Sequence, residues 1–176
     1  MNLEHKFCTL GTDVTVTDGT TISGYASLFG KSDQGGDIVE SGAYGVSLAN
    51  GRSIKMLWQH DPAQPIGVWD EVREDAKGLW VKGRLLTDVA KGREAASLIG
   101  AGAIDGLSIG YRTVKARKDN KGGRLLSELE LWEVSLVTFP MLPDARVVAK
   151  GDDPAAATLR AMTAAFENAR RMMARD

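Results

Sequence analysis

The sequence predicts a mainly β fold with inserted helices (α+β), its strands forming a closed or nearly closed antiparallel barrel. Three observations lead there. Short apolar or alternating runs outnumber helical ones. Two pairs of these runs flank short turns and read as antiparallel hairpins. No regular alternation of strand and helix, the mark of a parallel βαβ sheet, appears.

The elements follow in order. "TISGYASLF" (Thr21 to Phe29) alternates between Gly19 and Gly30 and reads as a strand. "KSDQGGD" is a polar, glycine-rich loop, and Ser41 is the expected cap of a short helix through "GAYGVSLAN". "SIKMLWQH" has the length of a buried strand, with Pro62 and Pro65 expected to stop it. "IGVWDEVRED" and "GLWVKGRLL" flank Asp75-Ala76-Lys77-Gly78 as a hairpin. "TDVAKGREAASLIGAG" carries Val89, Ala96 and Ile99 at near-helical spacing, with Thr87 or Asp88 as cap and Gly100 or Gly102 as end. "LSIGYRTVKARK" is a strand that turns at "DNKGGR", and "LLSELELWEVSLVTF" returns from it until Pro140.

Residues 1–150 thus read as one β-barrel domain, and 151–176 as a C-terminal amphipathic helical tail. Asp152 or Asp153 caps that tail, Pro154 suits its first turn, and Leu159, Met162, Phe166, Ala169 and Met173 form a narrow apolar stripe. The stripe fits packing on the chain's own domain or docking on another chain.

Bulk properties narrow the function classes. Lys+Arg is 22 and Asp+Glu is 23, which gives no electrostatic case for nucleic acid or an anionic membrane. Hydrophobic content of 43% over 176 residues suits a soluble chain with its own core. The lone Cys8 allows no internal disulfide, as expected of a reducing cytosol. No apolar run resembles a signal peptide or reaches the roughly 20 residues of a membrane span.

The chemistry centres on "DGLSIGYRTV" (Asp105 to Val114). Gly106-Leu107-Ser108-Ile109-Gly110 fits G-x-S-x-G, the pattern of the α/β-hydrolase nucleophile elbow. Context and chain order exclude that elbow. It needs a strand before the serine and a helix after it, but here the helical run precedes Ser108 and the strand-like run follows. It also needs a histidine after the serine, whereas both histidines, His5 and His60, precede it. Gly106 and Gly110 instead read as keeping bulk away from Ser108, as a closely approaching substrate backbone would require.

A serine hydroxyl needs a base, and the base needs an orienting group. His60 is the candidate base, because it sits where an apolar strand meets a proline-limited loop, while His5 lies in a terminal segment. A strand-end histidine satisfied by a neighbour fits the same spacing. No HxxxH or CxxC pattern accompanies it, so no metal site is argued. Glu133 is the only charged residue of "LWEVSLVTF", a segment apolar enough on both faces to be a central strand. A carboxylate there needs a partner, either a histidine or a structural arginine such as Arg112 or Arg84.

Taken together these places resemble the HK97-type prohead proteases, also called caudovirus prohead serine proteases. The matching text is "GYASLFGKSDQGGDIVESGAY", "IKMLWQHDPAQPIGVW", "GLWVKGRL", "GREAASLIGAGAIDGLSIGYR" and "LELWEVSLVTFPMLPDARV", covering roughly residues 20 to 148. The resemblance implies a β-barrel similar to the herpesvirus assembly proteases. It also implies a serine endopeptidase that cleaves capsid and scaffold proteins, and often itself, during phage head assembly. The nucleophile and base then fall on Ser108 and His60. The herpesvirus relatives use a second histidine after the serine, which this sequence lacks, and Glu133 takes its place by position and by the burial argument. The expected partners are the major capsid protein, its scaffold segment and a second copy of the chain. The expected place is the assembling prohead in the host bacterial cytoplasm, and no metal or organic cofactor is needed. Oxyanion donors are expected from backbone N–H groups, or from "FPMLPDAR" with Arg146.

Three rivals remain: a serine esterase or amidase for small molecules that would use the same triad, an inactive capsid-assembly scaffold module, and a chymotrypsin-like order with Asp70, Asp75 or Asp88 as the acid.

Overall fold

The computed structural model describes residues 19–119 and 122–139 in full, together with the backbone of the strands Glu4–Phe7, Val14–Thr17 and Val147–Ala149. In chain order the elements are β1 (Glu4–Phe7), β2 (Val14–Thr17), β3 (Thr21–Leu28), β4 (Ile38–Val39), α1 (Gly45–Ala49), β5 (Lys55–Trp58), β6 (Asp61–Glu74), β7 (Gly78–Leu85), α2 (Ala90–Gly100), β8 (Gly106–Lys118), β9 (Arg124–Val137) and β10 (Val147–Ala149).

The strands make one sheet in the order β1-β8-β9-β5-β6-β7-β3-β2-β10, with β4 also paired to β9. The sheet curls into a half-barrel, so β3 returns against β8 without pairing to it. The mainly β reading holds, but the antiparallel barrel does not. The sheet is mixed: β5 and β4 run parallel to β9, and β10 runs parallel to β2. Short turns force antiparallel pairing on β6–β7 and β8–β9. Strands distant in sequence carry no such constraint, and β5 meets β9 in the opposite sense. The expected C-terminal helix and the domain boundary at 150 lie outside the described residues.

The buried apolar residues form one core cluster. Ile22, Val39, Tyr44, Met56, Ile66, Leu79, Val81, Leu107, Ile109, Leu126, Leu131, Val134 and Leu136 are among its buried members. From Glu133 to Val137 every residue of β9 is buried, as expected for a central strand flanked on both edges.

Several local expectations are corrected. Ser41 does not cap α1. The N–H groups of Gly42 and Tyr44 instead donate to the two oxygens of Glu74, at the far end of β6. Neither Thr87 nor Asp88 caps α2; Val89 holds the N-cap position, with no side-chain bond. Gly102, at φ 70°, does end α2, with its N–H on the Ile99 carbonyl and that of Ala103 on Leu98. The apolar side of α2 is Gly92, Ala95 and Ile99, while Val89 is exposed. Pro62 and Pro65 do not stop β5. They lie inside β6, where the pairing with β5 shifts register twice, and such irregular pairing tolerates a residue without an N–H. The chain reverses earlier, at Gln59-His60, the two residues between paired Trp58 and Asp61.

Candidate active site

Three neighbouring strands assemble the site. β9 is central. On one edge β8 sets Ser108 opposite Ser135 and Gly110 opposite Glu133. On the other edge β5 sets Lys55 opposite Glu133 and Leu57 opposite Ser135. The hairpin that closes β5 then carries His60 back over β9.

That hairpin has an uncommon backbone. Gln59 and His60 take φ of 50° and 63°, the positive values that a primed two-residue turn requires of both central residues. Asn-Gly usually fills such a turn, and a residue with a β-carbon costs about 1–2 kcal/mol there. Neighbouring contacts hold the strained turn. The Gln59 N–H donates to the Leu136 carbonyl at 2.9 Å. The Gln59 amide grips Thr138 twice, donating to Oγ1 at 2.6 Å and accepting from its N–H at 3.3 Å. The His60 N–H donates to Ser135 Oγ at 3.2 Å.

The three residues singled out in the sequence meet here. His60 Nε2 lies 2.7 Å from Ser108 Oγ, and His60 Nδ1 lies 2.5 Å from Glu133 Oε1. With Nδ1–H donating to the carboxylate, Nε2 is the acceptor for the serine proton. This chain of contacts is what general-base activation of a hydroxyl requires. Ser108 is fully buried, Glu133 is 3% exposed and the His60 side chain 11%, so solvent reaches the group at the imidazole. Ser108 is the third residue of β8 and follows α2, so it is not on a strand-to-helix elbow.

The other candidates are engaged elsewhere. Arg112 pairs with Glu130 at 2.6 Å and Arg84 with Asp70, so the carboxylate of Glu133 has a histidine rather than either arginine as its partner. Asp75 lies in the β6–β7 turn, where it accepts from Tyr25, Arg73, Lys77 and Gly78. Asp88 is exposed before α2. Asp61, next to His60 in sequence, accepts from the Gln64 amide and the Ala63 N–H, and these hold its carboxyl below the ordinary value. His5 stands opposite Gly110 in the β1–β8 register. Arg146, one of the expected sources of oxyanion donors, lies outside the described residues. Among the described residues no group of three or more His, Cys, Asp or Glu could hold a metal ion, and no helix is long and apolar enough to cross a membrane.

Gly110 plays a part that the sequence reading assigned to substrate access. Its missing side chain makes room for Glu133 inside the sheet, since a β-carbon at 110 would lie 2.0 Å from Oε1. Nothing in the sequence singles out Ser135 beyond its place two residues after Glu133. Its hydroxyl donates to Glu133 Oε2 at 2.5 Å.

The comparisons with known proteins agree with this architecture. The chain is 34% identical over 130 residues to the prohead protease of Enterobacteria phage HK97, covering 72% of this chain and 58% of that protein. It is 30% identical over 129 residues to the prohead protease of Escherichia phage T5, covering 70% of this chain and 59% of that protein. The chain therefore spans less than two thirds of the length of these curated relatives. In fold it resembles the bacteriophage T4 capsid assembly protease, with a TM-score of 0.65 at 16% identity, over 78% of this chain and 98% of that one. Residues 10–159 match the family described as caudovirus prohead serine protease, and the chain belongs to that family.

Proposed function

We propose that this chain is a serine endopeptidase of phage head maturation. Its substrates are the major capsid protein and its scaffold segment, and also the chain itself. It acts in the assembling prohead within the host bacterial cytoplasm, where a second copy of the chain is a further partner. The observation that carries the reading is the continuous contact from Ser108 Oγ through the His60 imidazole to Glu133. The names of the relatives, prohead protease and capsid assembly protease, supply the substrate class.

In the proposed mechanism His60 Nε2 takes the Ser108 proton as Oγ attacks a peptide carbonyl. The imidazolium that forms is stabilised by Glu133, and it returns the proton to the leaving amine. Water, activated by the same base, then releases the acyl group from Ser108.

The test is co-expression with the major capsid protein of the same phage, read by intact mass beside Ser108→Ala. Shortening of the capsid protein at a defined site by the unmodified chain alone supports the reading. An intact capsid protein in both preparations, with particles still assembling, favours the inactive scaffold module. Hydrolysis of small esters without any protein cleavage favours the esterase.

A further inference from the structure

Ser135 is buried in β9, and its hydroxyl joins two parts of the site. It accepts the His60 backbone N–H at 3.2 Å and lies 2.5 Å from Glu133 Oε2. The direction of both bonds follows from chemistry. A backbone N–H only donates, and an ionised carboxylate only accepts, so the hydroxyl proton goes to Glu133. Ser135 thus ties the backbone of the residue that carries the imidazole to the carboxylate that orients it. With the Nδ1–Oε1 contact, the three residues close a ring.

We propose that Ser135 is a positioning residue for the triad. Its hydroxyl holds the Glu133 carboxylate in line with His60 and anchors the strained turn that presents the imidazole. This rests on the serine protease reading above. Two physical effects support it. A carboxylate at 3% exposure needs donors to remain ionised, and Ser135 supplies one to the oxygen that His60 does not take. Backbone at positive φ on a residue with a β-carbon persists only where its surroundings hold it, and Ser135 accepts the N–H of that residue.

The charged side chains described on β5, β6 and β8 near Glu133 have other contacts. Lys55 of β5 stands opposite Glu133 in the register, with its ammonium on Ser53 Oγ at 3.3 Å. Asp61 of β6 is held by Gln64 and Ala63, and Arg112 of β8 by Glu130. His5 of β1 is the register partner of Gly110. Removing the Ser135 hydroxyl takes a donor from the Glu133 carboxylate and the acceptor from the His60 N–H, and so loosens the ring at both places.

The experiment uses the full chain and a fluorogenic peptide spanning the cleavage site mapped by co-expression. Rates are followed against pH for the unmodified chain, Ser135→Ala and Ser108→Ala, with a thermal melt of each. For Ser135→Ala we expect kcat to fall about tenfold or more, KM to stay within about twofold, and the acid limb of kcat/KM to move from its place in the unmodified chain. Unchanged kcat, a change in KM alone, or a uniform loss with the limb unmoved overturns the proposal. Ser135→Cys, nearly the same shape but a weak donor, is read the same way if the alanine variant does not fold. Ser108→Ala separates the two readings. If it retains activity, the serine mechanism fails. If it is inactive while Ser135→Ala matches the unmodified chain, only the role of Ser135 fails.

Discussion

The carboxylate of Glu133 occupies the space that a side chain on Gly110 would fill. A β-carbon at 110 would come within 2.0 Å of Oε1 and 2.7 Å of Cδ. Both residues sit on paired strands, so neither can withdraw without breaking the β8–β9 ladder. Gly110→Ala must therefore push the carboxylate away from His60. The expected result is a folded chain whose turnover falls by a factor on the order of a hundred or more, checked by steady-state cleavage and by labelling of Ser108 with a fluorophosphonate. Labelling and turnover that match the unmodified chain would show that Glu133 tolerates the displacement.

Replacing Glu133 by Gln keeps the shape and removes the charge that stabilises an imidazolium. Turnover is expected to fall by about 10²–10⁴, with stability changed far less. Asp70→Asn, Asp75→Asn and Asp88→Asn are expected to leave turnover within about threefold, since Asp70 pairs with Arg84, Asp75 accepts from Tyr25 and Arg73, and Asp88 is exposed. Kinetics on the four variants, side by side, identify the third member. A larger loss in any Asp variant would move it.

Asp75 carries a pH prediction. Burial pushes its carboxyl up. The Lys77 N–H, the Tyr25 hydroxyl, the Gly78 N–H and Arg73 outweigh that and hold it below the ordinary value. A group whose folded value is depressed adds stability that is complete above its unfolded value and is lost as pH falls through the folded one. Urea melts from about pH 6 to pH 3 are expected to show a stability decline that is shallower in Asp75→Asn, because the variant has no carboxyl to protonate. Parallel declines in the two proteins would remove the hairpin from the account.

Deleting residues 151–176 is expected to leave a folded domain with peptidase chemistry intact, because the elements that hold Ser108, His60 and Glu133 all precede residue 150. Circular dichroism and the peptide assay together check this. A truncated chain that fails to fold would place the tail in the core.

The sequence by itself determined what local physics encodes. Alternation and turn residues marked the β6–β7 and β8–β9 hairpins, because a short turn leaves only antiparallel pairing. Gly100 and Gly102 marked the end of α2, and the left-handed backbone of Gly102 closes it. The order of Ser108 and the two histidines excluded a nucleophile elbow, and the lone charge of an apolar strand singled out Glu133. Only the tertiary structure decided how those parts face one another. Parallel pairing of β5 with β9 joins segments far apart in sequence, and no local signal specifies its direction or register. The turn at Gln59-His60 has the wrong residues for its backbone and is held by Thr138, Leu136 and Ser135, all on or beside β9. Glu74 takes the place of Ser41 at the start of α1 from 30 residues away. Gly110 gives way to a carboxylate on the next strand. In each case the deciding contact is non-local. Periodicity and spacing report only which residues could be buried together, while packing across the sheet selects which of them touch.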